Sequence, residues 1–168
     1  MFTDTELAER QLDRVQSFIP RIDARVSAMF AIVSAQIAIA ALNLEIDDLK
    51  AWWVATPAVV FFIAAVFCVI SLYRCVHPNL VGGSNSLVFF GTVSKLREAE
   101  YIDKMRAVSE EEYIKDVLGQ VWRNSQIVAE KYKNLRAAGT AIMISLLPWT
   151  MLLLALSLGK WSLPLISK

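Results

Sequence analysis

The sequence predicts an all-α membrane protein in which three transmembrane helices are continuous with a helical cytoplasmic module. Three observations support this fold class. Hydrophobic residues make up 56% of the 168 residues, charged residues only 20%, and the mean hydropathy is +0.47, which is unusual for a soluble domain of this length. Three apolar runs are each long enough to cross a hydrocarbon core of roughly 30 Å. The last run continues a charged helical pattern with no proline between the two.

These features divide the chain into five predicted segments. Each boundary is placed where the density of charge changes, because charged side chains are costly inside a bilayer. The segments are a cytoplasmic N-terminal helix (1–25), a transmembrane hairpin (26–73), a cytoplasmic helical module (74–136), a third transmembrane helix (137–158) and an external tail (159–168).

The N-terminal segment begins with a capping pattern, because the Thr3 hydroxyl can accept a bond from the Glu6 backbone while the Glu6 carboxylate bonds back. Pro20 removes a backbone donor and predicts a kink or a helix restart near residues 18–21. Acidic residues stand where a signal peptide would be basic, so we expect the segment to be retained. Apolar residues recur at steps of four and three, which predicts a seam facing a partner helix: Ala8, Leu12, Val15, Ile19, Ile22, Val26 and Met29.

The hairpin contains two spans joined by a tight turn. The first, residues 26–44, has nineteen residues without a charge, and its many alanines favour close approach of another helix. Gln36 near its middle could line a pore or bond to a neighbouring helix, and we favour the second interpretation. The second span, residues 51–73, has the flanking residues typical of a membrane interface, namely Trp52, Trp53, Tyr73 and Arg74.

The module between the spans contains loop and helix patterns. Turn-forming residues from His77 to Ser86 predict a flexible loop, within which Gly82-Gly83 is more typical of a hinge than of a phosphate loop. Residues 87–93 are apolar but too short to cross a bilayer, and they fit a strand, a buried helical turn or an interfacial wedge. Residues 94–108 have the periodicity of an amphipathic helix.

The last helix is predicted to run from Ser109 to Leu158. Ser109 and Glu112 form a second capping pattern, and Pro148 is the first residue that could kink the helix. After Arg136 no charged residue occurs until Lys160, so one rod is expected to pass from water into lipid. A predicted seam follows the helix at steps of three and four: Leu118, Val121, Ser125, Val128, Tyr132, Leu135, Gly139, Ile142 and Leu146.

Lysine and arginine set the predicted orientation. Fourteen of the seventeen lie in the N-terminal segment and in residues 74–136. Because basic residues accumulate on the cytoplasmic side, we expect the N-terminus and the module in the cytoplasm and the C-terminus outside. The near-neutral net charge of +1 gives no indication of a nucleic acid polymer as partner.

The sequence lacks the motifs of common enzyme classes. It contains no phosphate-binding loop, no zinc-protease motif and no nucleophile elbow, and a single histidine with two cysteines does not suggest a metal site or a disulfide framework. We therefore expect no enzymatic activity, no catalytic residues, no metal and no cofactor.

Several groups of residues together form a pattern that covers nearly the whole chain. They are Asp23-Ala24-Arg25 before the first span, the run Leu87-Val88-Phe89-Phe90-Gly91-Thr92-Val93-Ser94, Tyr101, and on the last helix Asp116, Gln120, Asn124-Ser125, Ile127, Lys131-Tyr132 and Leu135-Arg136. This pattern resembles the Pycsar membrane effectors of the PycTM type. The resemblance implies an antiphage effector in the inner membrane. A neighbouring cyclase would make cUMP or cCMP on infection, and the effector would sense it and impair the membrane.

Ligand-binding residues for such a nucleotide can be proposed from its chemistry. Arginine or lysine would bind the phosphate, asparagine or glutamine the base edge, and tyrosine would stack on the base. We expect at least two of six side chains in the sensing module to contact the ligand: Lys95, Arg97, Tyr101, Gln120, Asn124 and Lys131. Against this, Gln120 and Asn124 could bond to each other, and Lys131 could lie on a solvated surface.

Three spans are too few for a pore, so a homo-oligomer in the bilayer is expected, with Gly139, Ser145 and the small residues of the first span at its contacts. The alternative function is a ligand-independent, holin-like toxin or a scaffold that recruits a partner through its coiled-coil seam.

Overall fold

The computed structural model describes residues 3–77 and 85–162. Within these residues the chain is helical and contains no strand, which confirms the predicted fold class. The predicted flexible loop, except for His77 and Ser86 with its neighbour Asn85, and most of the predicted external tail lie outside the described residues. The helices are α1 (Asp4–Gln16), α2 (Phe18–Asn43), α3 (Trp52–Val76), α4 (Phe90–Val93), α5 (Glu98–Ala107) and α6 (Glu110–Ser162), with a 3₁₀ turn at Asp47–Lys50.

Three helical stretches of the described chain are long and apolar enough to cross a membrane. They contain α2, α3 and the second half of α6, as expected from the three apolar runs. The chain is therefore a membrane protein, because apolar helices of this length bury too little of their surface within one chain to be stable in water.

Both capping patterns are present. Thr3 accepts from the Glu6 backbone at 3.2 Å, and the Glu6 carboxylate accepts from the Thr3 backbone at 3.1 Å. At α6 the Ser109 hydroxyl accepts from the Glu112 backbone at 3.3 Å, while the Glu112 carboxylate accepts from the Ser109 backbone at 3.2 Å. The predicted restart is also confirmed, since α1 ends at Gln16 and α2 begins at Phe18, with Pro20 in its first turn.

The chain divides into two compact units, and the first consists of Met1–Asp23 and His77–Tyr132. Its core is formed by Ala8 and Leu12 of α1 and Val117 of α6, with partly buried apolar side chains packed around them: Val88, Tyr113, Ile114 and Val121. This core brings the segment that follows the undescribed loop onto the first turns of α6.

The second unit consists of Ala24–Val76 and Lys133–Lys168. Its largest fully buried side chains include Val33, Phe61 and Leu152. A Cβ added to Gly139 would lie 3.3 Å from the Met29 methyl group, so the missing side chain permits a close approach of α2 to α6. Gly139 and Ser145, which the sequence places at contacts between protomers, thus pack inside a single chain, where Ser145 is fully buried.

The seam predicted along α6 differs from the observed one in the first unit. Leu118 and Tyr132 are 48% and 38% exposed and Ser125 is exposed, whereas Val117 is only 1% exposed. Two polar residues of the predicted site, Gln120 and Lys131, are buried on the observed face. Hydrophobic periodicity cannot identify such positions, because their burial depends on partners distant in the sequence.

Two further observations concern the segment before α6. Of the three alternatives for residues 87–93, the structure shows a helical turn, at Phe90–Val93, and not a strand. The amphipathic helix begins at Glu98 rather than at Ser94, because Arg97 has extended backbone angles (φ −76°, ψ 149°) and serves as its N-cap.

Candidate functional site

The six predicted ligand residues occupy three kinds of position in the first unit. Lys95 and Arg97 are exposed in the connection before α5, and Tyr101 is half-buried on α5. Asn124 is half-buried on α6, whereas Gln120 and Lys131 are buried on that helix. The structure therefore does not collect the six into one cluster of exposed side chains. That at least two of them contact a ligand stays a prediction.

Gln120 supports the segment of residues 86–89. Its amide donates to the Ser86 hydroxyl at 3.0 Å, and the same oxygen accepts from the Phe89 backbone at 2.9 Å. Asn85 has φ of 67°, a left-handed conformation that asparagine tolerates better than most residues. This conformation directs Ser86 toward α6, and the hydrogen bonds then hold it there.

Asp116 fixes the same segment from one turn earlier on α6. Its Oδ2 atom accepts from the Leu87 backbone at 2.7 Å and from the Val88 backbone at 3.3 Å. The Asp116 and Gln120 positions of the family-like pattern are thus explained by one local task, which is to hold residues 86–89 against α6: Asp116 accepts from their backbone, and Gln120 donates to the Ser86 hydroxyl.

The Phe-Phe-Gly motif is also structural. A Cβ added to Gly91 would lie 2.6 Å from the Phe89 ring, a distance that real contacts do not reach. The Phe89 and Phe90 rings pack at 4.8 Å between centroids. A side chain at residue 91 would therefore force the Phe89 ring to move, because the ring occupies its space.

A cavity of about 590 Å³ opens beside this segment, within the size range of small-molecule sites. Several of its lining residues come from one face of α6, at steps of three and four from Glu112 to Arg123. The remainder come from residues 85–87 and from Val108, the residue that follows α5. The lining consists of Asn85, Ser86, Leu87, Val108, Glu112, Tyr113, Lys115, Asp116, Gly119 and Arg123.

Arg123 contributes a guanidinium group to the wall of this cavity. Its Nη1 atom is buried and has no hydrogen-bond partner among the described residues. Such an atom is costly unless something binds it, because a buried donor loses its bonds to water. Gly119, one turn earlier, would place a Cβ 3.7 Å from Arg123 Nη2, so the glycine leaves the guanidinium open on that side. A guanidinium so placed suits a phosphate or carboxylate oxygen.

Two further side chains of the cavity, Glu112 and Tyr113, have hydrogen-bond partners. Glu112 bonds to Ser109, and the Ser109 backbone N–H followed by the Ser109 hydroxyl lowers the pKa of the Glu112 carboxyl. Tyr113 donates to Glu9 at 2.9 Å, and burial together with that carboxylate raises the pKa of the phenol. Tyr113 is thus neutral at physiological pH. The cavity combines the Arg123 guanidinium with Lys115, carboxylate acceptors and an aromatic ring.

None of the six residues predicted from sequence lines this cavity, and neither Arg123 nor Gly119 is among those six. A local signal for them existed: a glycine one helical turn before an arginine gives the guanidinium room on the helix surface. The decisive feature was not visible, because the cavity wall is completed by residues 85–87, about thirty positions earlier in the chain.

Lys131 lies about two helical turns beyond Arg123 and has a different partner. Its ammonium group is 2.7 Å from Asp23 Oδ1.

The described residues contain no group of three or more His, Cys, Asp or Glu side chains that could hold a metal ion.

Residues 7–158 match the model of the PycTM family, described as the Pycsar effector protein domain. No curated protein and no solved structure matches the chain.

Proposed function

The chain belongs to the Pycsar effector family, and on this premise we propose that it senses a cyclic pyrimidine mononucleotide, cUMP or cCMP, and then impairs the membrane. Its place in antiphage defence by cyclic pyrimidine signalling follows from the family, whose model covers residues 7–158. The observation that carries the rest of the proposal is the extent of α6. This single helix contributes to the cavity and continues without a break through the third apolar stretch.

The ligand half of the proposal is supported by the chemistry of the cavity. A cyclic mononucleotide carries one negative phosphate, which would pair with the Arg123 guanidinium, whose Nη1 atom has no hydrogen-bond partner among the described residues. A pyrimidine edge carries N–H donors, for which the carboxylates of the lining are acceptors. A site with acceptors as well as cations suits a nucleotide better than a simple inorganic anion, which would be repelled by the carboxylates.

The second part of the proposal, that the protein impairs the membrane, requires that ligand binding at the cavity change the position of the apolar part of α6. A ligand can shift a two-state equilibrium only by its difference in affinity for the two states, and a tenfold shift needs about 1.4 kcal/mol. A single charged hydrogen bond that forms in only one state is worth about this much. We propose that ligand bound beside Gly119 and Arg123 favours one rotation or tilt of α6, which its apolar half follows.

The proposal includes four further points. The protein acts as a homo-oligomer, because three spans enclose too little space for a channel. It lies in the inner membrane with the N-terminus in the cytoplasm and the C-terminus in the periplasm, which is supported by the distribution of lysine and arginine. Lipid is its working partner, and it performs no catalysis.

Leakage of a dye from liposomes that contain the full chain tests the proposal. We expect leakage on addition of cUMP or cCMP and none on addition of cAMP or cGMP. Leakage without any nucleotide would instead favour the holin-like alternative. A rise in thermal midpoint with a cyclic pyrimidine nucleotide, but no leakage, would contradict the membrane half alone.

Transmission through α6 is tested by softening the helix between the cavity and the apolar stretch. Ala129 and Tyr132 are both exposed, so the double change Ala129→Gly and Tyr132→Gly removes little packing, while each glycine costs about 1 kcal/mol of helix propensity relative to alanine. We expect nucleotide binding to persist and leakage to fall. Tyr132→Ala is the matched control and should leak normally; equal leakage in both variants would contradict transmission by a stiff helix.

A further inference from the structure

A groove of about 660 Å³ in the second unit combines an apolar floor with two cations. It lies between α3 and α6, and each helix contributes one stripe of residues at helical spacing. The stripe of α3 consists of Val60, Ile63, Ala64 and Phe67, and that of α6 of Lys133, Arg136, Ala137, Thr140, Ala141 and Ile144. The lining contains no carboxylate.

The two kinds of residue are separated along the groove. Lys133 and Arg136 occupy one end of the α6 stripe, both with exposed side chains, and only apolar or small residues with one threonine follow. The hydroxyl of Thr140 donates to the Arg136 carbonyl at 3.0 Å, so its donor is satisfied within the helix. The groove therefore has a positive end and an uncharged remainder.

The dimensions of the α6 stripe fit one leaflet of a bilayer. At a rise of 1.5 Å per residue, the eleven steps from Lys133 to Ile144 span about 16 Å, and half of a hydrocarbon core of roughly 30 Å is about 15 Å. A chain that lies along the stripe would thus reach from the headgroup region to about the middle of the bilayer.

We propose that this groove binds one anionic glycerophospholipid, with its phosphate at Lys133 and Arg136 and an acyl chain along the apolar stripes. Charge complementarity identifies the occupant, because two adjacent cations with no carboxylate in the lining favour an anionic headgroup over a zwitterionic one. The exposed floor residues Ile63 and Phe67 then contact the acyl chain. The site is independent of the nucleotide and of the proposed leakage.

The test uses the full chain, purified from mixed vesicles of phosphatidylglycerol and phosphatidylcholine, with the retained lipid measured by native mass spectrometry. Lys133→Gln with Arg136→Gln should weaken retention of phosphatidylglycerol about tenfold or more, since each cation near a membrane surface contributes about a factor of five. Arg25→Gln with Arg74→Gln is the matched control, because it removes two exposed cations outside the groove. Equal losses in both double variants would indicate general surface attraction and would overturn the proposal.

The acyl part of the site is tested separately. Ala64→Leu places three more carbons in the groove and should also lower retention, whereas Ala31→Leu, at an exposed position of α2 outside the lining, should not. If Ala64→Leu leaves lipid retention unchanged, the proposed position of the acyl chain in the groove is wrong. Glycerol phosphate, which carries no acyl chain, should not displace the lipid, and displacement by it would overturn the proposal in favour of a free phosphate site. Circular dichroism confirms that each variant keeps its helices.

Discussion

Lys131 and Asp23 form an ion pair at 2.7 Å in which the lysine side chain is 7% exposed and the aspartate side chain 50% exposed. The two residues are 108 positions apart in the sequence, and both belong to the pattern shared with Pycsar effectors. The pair joins the beginning of α2 to α6 within the first unit. A lysine in this pattern can thus be explained by packing as well as by a ligand.

Substitutions of the two residues of this ion pair should lower the free energy of unfolding by different amounts. Asp23→Asn removes a carboxylate charge from beside a buried ammonium group and should lower the free energy of unfolding by about 1–2 kcal/mol, less than for a fully buried pair because Asp23 is half exposed. Lys131→Met keeps the apolar stem and removes the charge, so it should cost less. Thermal unfolding in detergent, followed by circular dichroism, gives both values. Asp103→Asn, at an exposed position of α5, should change stability little.

Arg123 is predicted to supply the main phosphate contact. Arg123→Gln should raise the dissociation constant of the activating nucleotide about 10- to 100-fold, since a hydrogen bond to a charged group is worth about 1.5–3 kcal/mol. Arg123→Lys keeps the charge but loses the forked geometry and should recover only part of the affinity. Isothermal titration calorimetry measures the binding. Arg106→Gln, an exposed cation outside the cavity, serves as control, and unchanged affinity in Arg123→Gln would exclude this arginine from the site.

Gly119 predicts a steric effect that depends on side-chain size. An added Cβ would lie at an ordinary contact distance of 3.7 Å from Arg123 Nη2, so Gly119→Ala should bind nucleotide nearly normally. It should also stabilise the helix by up to about 1 kcal/mol. Gly119→Leu would project into the cavity and should abolish binding while leaving the helix intact. Normal affinity in Gly119→Leu would place the ligand elsewhere.

Local sequence signals predicted much of this fold. The capping patterns at Thr3 and Ser109 each involve residues three positions apart, and Pro20 acts on its own helix turn. The three apolar spans follow equally from the bilayer thickness. Such features need no knowledge of distant partners, which is why the sequence was sufficient for them.

The site was less predictable because it depends on contacts between distant segments. Gln120 is buried because Ser86 meets it, and Lys131 is buried because Asp23 does. Neither pairing can be derived from helical periodicity, which favoured Leu118 and Tyr132 for the buried face instead. The role of Arg123 was equally hard to predict, because the cavity that it lines also needs residues 85–87, which are distant from it in the sequence.

The capping pattern of α6 predicts a lowered pKa for the Glu112 carboxyl, which can be measured. The Ser109 backbone N–H, and after it the Ser109 hydroxyl, lowers the pKa of the Glu112 carboxyl below its ordinary value. Because the folded pKa is lowered, the stabilisation is present above the unfolded value and is lost as the pH falls through the folded value. Carboxyl NMR of the selectively labelled chain should show the low pKa. Ser109→Ala should raise it only in part, since the backbone donor remains, and an unchanged pKa would show that the hydroxyl contributes nothing.

The buried amide of Gln36 is expected to lower the stability of the second unit. Its Nε2 atom is buried and has no hydrogen-bond partner among the described residues. The Ser145 hydroxyl is 3.5 Å from Gln36 Oε1 but donates its single proton at 2.8 Å to the Ile142 carbonyl. The interhelical bond predicted for this side chain is therefore weak, although the Trp149 indole donates to the Gln36 backbone carbonyl at 3.1 Å.

Gln36→Met retains the length of the side chain and removes the unsatisfied amide, so it should raise stability in detergent by about 1–3 kcal/mol. The backbone bond from Trp149 is unaffected by this change, and Trp149→Phe should therefore be destabilising in both backgrounds by a similar amount. The thermal midpoints of the two single variants and the double variant form a cycle that checks this additivity. A lower midpoint for Gln36→Met would mean that the amide makes a stabilising contact in the membrane, such as one to a neighbouring protomer.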